Sequence, residues 1–493
     1  MPSFAREHQG VDTDGYGRRY AMTNHSKRQQ ALEALYHLDP EALKELSAKK
    51  ALKVFETACA RIPAYQNIVR QAGLNPSAIK SIEDFKKFVP VLDKETIFGP
   101  DVPDIKQLCL DGRLENIRAI ICSSGHSGVF SYGLKTQEEI EEAQDAIDFM
   151  LDYIFNVSEK KTLLVNCLPR SMRVYSSLVT MADTGVRPDI VIHTVKTFAS
   201  SFDQTIIVGE NSFLKKVLED GAEAGIDWRC VHPHLVLAEE VLPENMRTYF
   251  AEIIGVDPDQ PENETLIGSS FGLAEFGLNL FHETRDLIRL RRLLQRDEKF
   301  REALIGLDLD NLPALLQYDP NKLFVEEIST NDGLFHLALT NLEDRALIPL
   351  VRYNTADEGI CIPYGQLEET LGRLGYEDYL PKIRLPLLAI WGRTKIRVNE
   401  GFSIRPEFIK ELLYRKKDIA SLLTGNFQLS KSRAGLRIEI QAKEKASRSV
   451  EFENKLRALL LENIPARIEI IIYPYKEFPH GMELNYEKKF KYI

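Results

Sequence analysis

The sequence predicts an α/β protein in two parts: a large N-terminal region of mostly parallel sheets flanked by helices, and a small C-terminal α+β unit. Three observations lead there. From Ile117 onward, short apolar runs rich in branched residues alternate with helical stretches, the pattern of strands buried on both faces. Beyond Gly392 the runs turn into half-exposed strands and amphipathic helices. The chain has 493 residues, more than one domain at roughly 100–200 residues each.

Residues 1–27 read as a polar tail without the apolar run of a secretory signal. From Gln30 to about Ala72 the pattern is helical, with Leu52, Phe55, Cys59 and Ile62 on one face. Pro63 ends that helix, and a short one follows. Strands are predicted at Ala119 to Cys122, Thr162 to Val165, Asp189 to Thr194, His234 to Leu237, Thr265 to Ile267 and Phe335 to Thr340. Near the end, Phe408, Ile409, Leu412 and Leu413 mark a helix, and Arg437 to Gln441 alternates as a strand. Phe452, Leu456, Leu459 and Leu460 mark a second helix, and Arg467 to Tyr473 a final strand. One sheet against two helices makes a small α+β unit. The boundary falls near Gly392 to Lys395, dividing the chain into 1–27, 28–391 and 392–493.

The formal net charge is −10, from 63 basic and 73 acidic residues. That balance lacks the basic stripe expected of a nucleic-acid partner. No run of about 18 apolar residues occurs, so no membrane span is expected. The six cysteines are scattered and form no Cys-x-x-Cys pair. A reduced, cytoplasmic setting follows. Cys230-Val231-His232-Pro233-His234 is too incomplete for a zinc site and reads as the entry to a strand.

The first chemical signal is Cys122-Ser123-Ser124-Gly125-His126-Ser127-Gly128, directly after a predicted strand. Glycines permit close backbone approach. Successive N–H groups make an anion nest, and the serine hydroxyls add donors. Taken alone, the segment suits a phosphate loop or a plain surface loop equally. It is not a Walker A sequence, because no Gly-Lys-Ser/Thr follows at the required spacing.

The loop resembles the Ser-Ser-Gly-Thr-Thr-Gly loop of the acyl-adenylate-forming superfamily of acyl- and aryl-CoA ligases, adenylation domains and luciferase. Four further segments resemble its motifs in order: Leu237 to Pro243 around Glu240, Ser270-Phe271-Gly272-Leu273-Ala274-Glu275, Arg352-Tyr353-Asn354-Thr355-Ala356-Asp357, and Gly392-Arg393-Thr394-Lys395. Ala60 to Tyr65, Ser81 to Phe85 and Val89 to Lys94 resemble the opening of phenylacetate–CoA ligase relatives. The resemblance spans roughly residues 45–493. It implies a large adenylate-forming domain and a small mobile C-terminal one. It also implies ATP and Mg²⁺ as cofactors, a carboxylic acid substrate, and coenzyme A, or else a carrier protein, as acceptor.

Residue roles follow from the resemblance. Ser123, Ser124, Gly125, Ser127 and Gly128 would cradle phosphates. Glu240, Ser270, Phe271 and Gly272 would sit beside the adenine, and Glu275 would hold Mg²⁺. Asp357 would accept from the ribose hydroxyls, Arg393 would touch the ribose, and Lys395 would be the hinge. The family's catalytic C-terminal lysine maps to Lys489 or Lys488. His126 stands where Thr is usual and either donates to a phosphate or is satisfied by the loop backbone. Ser131 stands where many members carry Lys, Ala274 replaces a Thr and Ala356 a Gly. The acyl pocket is expected between residues 165–200 and Phe271 to His282, with Asn166, His193, Phe198 and His282 lining it. Transfer to a protein cysteine or an amine stays open, and so does a nucleotide-binding protein without catalysis.

Overall fold

A computed structural model describes residues 27–99, 104–123, 128–169, 172–257, 260, 264–306, 312–330, 335–343, 346–393, 395–399, 402–432, 435–444, 446, 449–480, 486–487 and 490–493. Residues 27–36 are helical. Asp39 then starts helix Pro40–Arg61 by accepting from the N–H groups of Glu41 and Ala42, with Pro40 in the first turn. The helix breaks at Ile62, and Pro63–Gln71 follows. Leu92 bridges to Tyr353, and the Asn354 N–H donates to the Leu92 carbonyl at 2.7 Å.

A hairpin of β1 (Ile117–Cys122) and β2 (Tyr132–Thr136) comes next. Gly133 in β2 is required by close approach, since a Cβ there would lie 2.1 Å from the Ala274 carbonyl oxygen. Thr136 and Glu139 form a capping box that starts helix Gln137–Phe155.

The central sheet has eleven strands: β3 Thr162–Asn166, β4 Thr180–Asp183, β5 Gln204–Glu210, β6 Pro233–Ala238, β7 Ile267–Leu273, β8 Gly277–His282, β9 Ala314–Gln317, β10 Leu323–Ser329, β11 Phe335–Asn341, β12 Tyr353–Ile362 and β13 Leu387–Gly392. Their order is β10-β11-β12-β13-β9-β8-β7-β6-β5-β3-β4. Strands β4, β3, β5, β6 and β7 are mutually parallel. From β7 outward to β10 each neighbouring pair is antiparallel. Strand direction therefore switches at β7, and a crevice outside the carboxyl ends of β5, β6 and β7 is where ligands of open α/β sheets gather.

Two expectations need correction. Residues 189–194 are not a strand but part of helix Pro188–Phe198. Pro188 opens it, and Val191 and Val195 are its buried face at helical spacing. The strand expected at Thr265 to Ile267 starts only at Ile267 and carries the Phe271 segment at its far end. The segment before His234 behaves as strand entry: His234 lies buried in β6, bonded to Gln204 at 3.0 Å and accepting from the Leu266 N–H at 3.1 Å.

Past β13, β14 (Ile396–Arg397) pairs with β15 (Ser403–Ile404). Strand β16 (Leu423–Ser432) is antiparallel to β17 (Gly435–Ala442). Helix Val450–Asn463 then crosses over to β18 (Ile468–Tyr473), parallel to β17. This layer docks on helices Asn211–Glu223 and Glu244–Ile254 through one continuous apolar cluster. The Tyr249 and Tyr414 rings meet at a tilt with centroids 5.5 Å apart, and the Lys215 ammonium donates to the Leu423 carbonyl at 2.8 Å. Glu411 accepts from the N–H groups of Glu244 and Asn245 at 2.7 and 2.8 Å, satisfying the free donors of that helix start.

Candidate active site

A cavity of about 780 Å³ opens at the carboxyl ends of β5 to β7, a size usual for a small-molecule site. One end is polar. Glu275, buried just past β7, accepts from the Tyr353 hydroxyl at 2.9 Å. Asp357 in β12 holds Arg393 in a two-point contact at 2.9 and 3.0 Å, a geometry that fixes the guanidinium plane. Phe271, Gly272 and Ser270 line the same wall. Glu240, at the end of β6, meets the Lys410 ammonium at 2.5 Å. Burial alone would depress that ammonium's pKa, but Glu240, Tyr492 and Glu407 together outweigh it and hold the value above the ordinary one.

Lys94 enters this end as well. Its ammonium donates to the Ser123 hydroxyl at 3.0 Å, and that hydroxyl oxygen also accepts from the Ser131 N–H at 2.9 Å. Burial lowers the Lys94 pKa, with Glu275 acting against it and Arg393 with it. A cation thus stands at the root of the Ser/Gly loop although position 131 carries Ser. The bridge from Leu92 to β12 puts Lys94 there.

The other end is apolar. Ile147, Met150, Leu151, Ile154 and Phe155 of helix Gln137–Phe155 face Leu164, Val208 and Val236 of the sheet, with Met172 and Leu266 beside them. A second cavity of about 1140 Å³ shares Ile121, Cys122, Ile147, Met150, Met172 and His282 with the first.

The structure therefore brings together Ser123, Glu240, Ser270, Phe271, Gly272, Glu275, His282, Asp357 and Arg393. Gly128 is described with φ 88° beyond the loop, whereas Ser124, Gly125, His126 and Ser127 lie outside the described residues. Lys488 and Lys489 lie outside them too, but Lys491 lines the cavity. Lys395, three residues past Gly392, pairs with Glu358 at 3.0 Å.

Three expected pocket residues are elsewhere. His193 and Phe198 are exposed on helix Pro188–Phe198, because the segment is a helix turned outward there. Asn166 is buried at the end of β3, bonded to the Met172 carbonyl and Asp183. His282 does line the cavity. Its Nδ1 has no partner among the described residues, and burial pushes its pKa down to about 4.

The sequence reading missed Lys94, Tyr353, Lys410 and the apolar wall as site residues. Lys94 and Tyr353 each sat inside a motif segment, next to the residues singled out. Glu275 suits a divalent hard cation, which prefers one or two carboxylates plus phosphate oxygens. Among the described residues no group of three or more His, Cys, Asp and Glu forms a metal cage.

No sequence-family model and no curated protein matches this chain. Solved structures do. The 2-hydroxyisobutyryl-CoA ligase in the postadenylation state, in complex with R3-HIB-AMP, is similar at TM-score 0.64, with 14% identity over 92% of this chain and 88% of that one. The same ligase in complex with 2-HIB-AMP and CoA in the thioesterification state is similar at TM-score 0.52, with 14% identity over 90% and 89%. With the motif segments gathered on one cavity, the chain has the fold of the acyl-adenylate-forming ligases.

Proposed function

We propose that this protein uses ATP to turn a carboxylic acid into an acyl-adenylate with release of pyrophosphate, then passes the acyl group to a thiol, coenzyme A first. The observation that carries this reading is the cavity of about 780 Å³, with Glu275, Asp357, Arg393 and Lys94 at one end and an apolar wall at the other. It suits a nucleotide and an acyl group held end to end.

Acid and ATP are both anions, so positioning and charge neutralisation are what the site must supply. Holding reactants in line is worth on the order of 7–11 kcal/mol in favourable cases. A carboxylate oxygen attacks the α-phosphorus, the bond to the β-phosphate oxygen breaks, and pyrophosphate leaves with the electron pair. In this reading Phe271 flanks the adenine, and Asp357, its orientation fixed by Arg393, accepts from the ribose hydroxyls. Lys94 supplies the loop cation that Ser131 does not. Glu275 would hold Mg²⁺, which neutralises phosphate charge. Lys489 or Lys488 bridges carboxylate and phosphate, a role supported by Lys491 nearby at the cavity.

In the second step a thiolate attacks the acyl carbonyl and AMP leaves. Residues 392–493 would act as a mobile domain pivoting at Lys395, beside Gly392. Gly392 has φ 102° and would put a Cβ 3.2 Å from the Glu407 carboxylate, so the position favours glycine. A cytoplasmic setting goes with this chemistry, the six cysteines all being free thiols.

Product analysis tests the reading. Acid-dependent formation of AMP and pyrophosphate, and of acyl-CoA when coenzyme A is added, is expected. Cleavage to ADP and phosphate would sink it. AMP formation without acyl-CoA would move the acceptor to a carrier protein, a cysteine or an amine.

A further inference from the structure

Helix Gln137–Phe155 turns Ile147, Met150, Leu151, Ile154 and Phe155 to the cavity. Their spacing is that of one helix face, and it runs for about 12 Å at 1.5 Å per residue. The facing wall is Leu164 of β3 with Val208 and Val236, which pair across β5 and β6. Ile147, Leu151, Phe155, Leu164 and Val208 belong to one cluster of buried apolar residues and also line the cavity. Protein interiors pack with few voids, and an empty apolar hollow lowers stability. The cavity wall between helix and sheet is thus apolar over two helical turns.

The charged lining residues sit at the nucleotide end, with one exception. Glu283 reaches the wall but is paired with Arg247 at 3.0 Å and accepts from the Ser269 N–H at 2.7 Å. A polar group on a guest's tail would lose its hydration against Ile154, Phe155, Leu164 and Val208, the unpartnered buried polar atoms of the lining among the described residues being His282 Nδ1 and Ser269 Oγ. One flat ring leaves much of a two-turn trough unfilled. Met150 and Met172 are flexible thioethers that fit themselves to a chain.

We infer that the acid taken by this site is a monocarboxylic acid with an unbranched hydrocarbon tail of medium to long chain, laid along helix Gln137–Phe155 with its carboxylate toward Glu275 and Lys94. This rests on the adenylation reading and adds the substrate class.

The test uses the full chain with saturated acids of increasing length, read both by ATP–pyrophosphate exchange and by calorimetric binding without ATP. The value of kcat/KM should rise about fourfold per methylene, the factor that corresponds to ~0.8 kcal/mol, and then level off. Terminal-hydroxy and dicarboxylic analogues of the best acid should be poorer by about tenfold to a hundredfold. Ile154→Trp, which fills the inner trough, should move the optimum to shorter acids. Exchange confined to short, polar or single-ring acids, with no gain in binding with length, overturns the substrate class and leaves adenylation standing. Length-dependent binding without exchange for any acid overturns adenylation and leaves the trough as a fatty-acid site.

Discussion

Glu239 and Ala356 both hold left-handed backbone, with φ 74° and 60°, and Ala356 stands where the motif it resembles carries glycine. A side chain in that region costs roughly 1–2 kcal/mol, so both positions keep a geometry that favours glycine without the glycine. Ala356 is exposed, and Ala356→Gly should raise stability by about 1 kcal/mol after the entropy lost by glycine, read as a higher denaturation midpoint. His282 gives a pH signature. Its folded pKa is near 4, below the ordinary 6.5, so the unfolded chain binds its proton first. Stability should fall as pH drops from about 6.5 to 4, by at most roughly 3 kcal/mol. His282→Gln should flatten that slope. Comparing variant with wild type matters, because Glu210, raised to about 7 by burial and by Glu240, has the opposite sign. Its contribution is present below about 4.5 and lost as pH rises through 7. The motif acids Glu275 and Asp357 were legible in the sequence, since their neighbours announce them. Lys94 was not, because a parallel bridge from Leu92 to Tyr353 brings it from a distant stretch of chain.

Helix Pro406–Leu413 is the element that ties the C-terminal layer to the site, through Lys410 on Glu240 and Glu411 on the start of helix Glu244–Ile254. Both side chains of the Lys410–Glu240 pair are nearly fully buried. Removing one partner strands a charge, a loss of about 3–5 kcal/mol, whereas removing both is often close to neutral. Lys410→Met should therefore destabilise strongly in urea melts, and Lys410→Met with Glu240→Gln should recover most of the loss. Simple addition of the two single losses would contradict the pairing. The helical pattern from Gln30 and its break at Pro63 were readable, but the break at residues 37–39 before helix Pro40–Arg61 was not. Residues 189–194 misled because a short branched apolar run suits a strand and a buried helix face alike. The stripe at Ile147 to Phe155 looks in sequence like any core-facing helix. Whether such a face meets protein or empty space depends on the partner surface, which local sequence does not encode.

At the scale of the whole molecule, the turn from parallel to antiparallel pairing at β7 sets the crevice, and the C-terminal layer closes over it with Pro406, Glu407 and residues 490–493. The antiparallel half of the sheet and strand β16 were not legible in the sequence, because they depend on long-range pairing. If the layer pivots at Lys395, Lys395→Pro should impair one half-reaction, adenylation or thioester formation, at least tenfold more than the other. Equal loss in both would count against a pivot there. Lys94→Met should weaken the ATP-dependent step by about tenfold to a hundredfold, and acid binding by a smaller factor, as calorimetry would report. The most direct measurement is acid-dependent ATP–pyrophosphate exchange by the full chain, run beside Glu275→Gln over a panel of carboxylic acids. The expected result is exchange with at least one hydrocarbon-tailed acid, falling on the order of 100-fold or more in the variant. ATP binding without exchange for any acid on the panel would contradict adenylation.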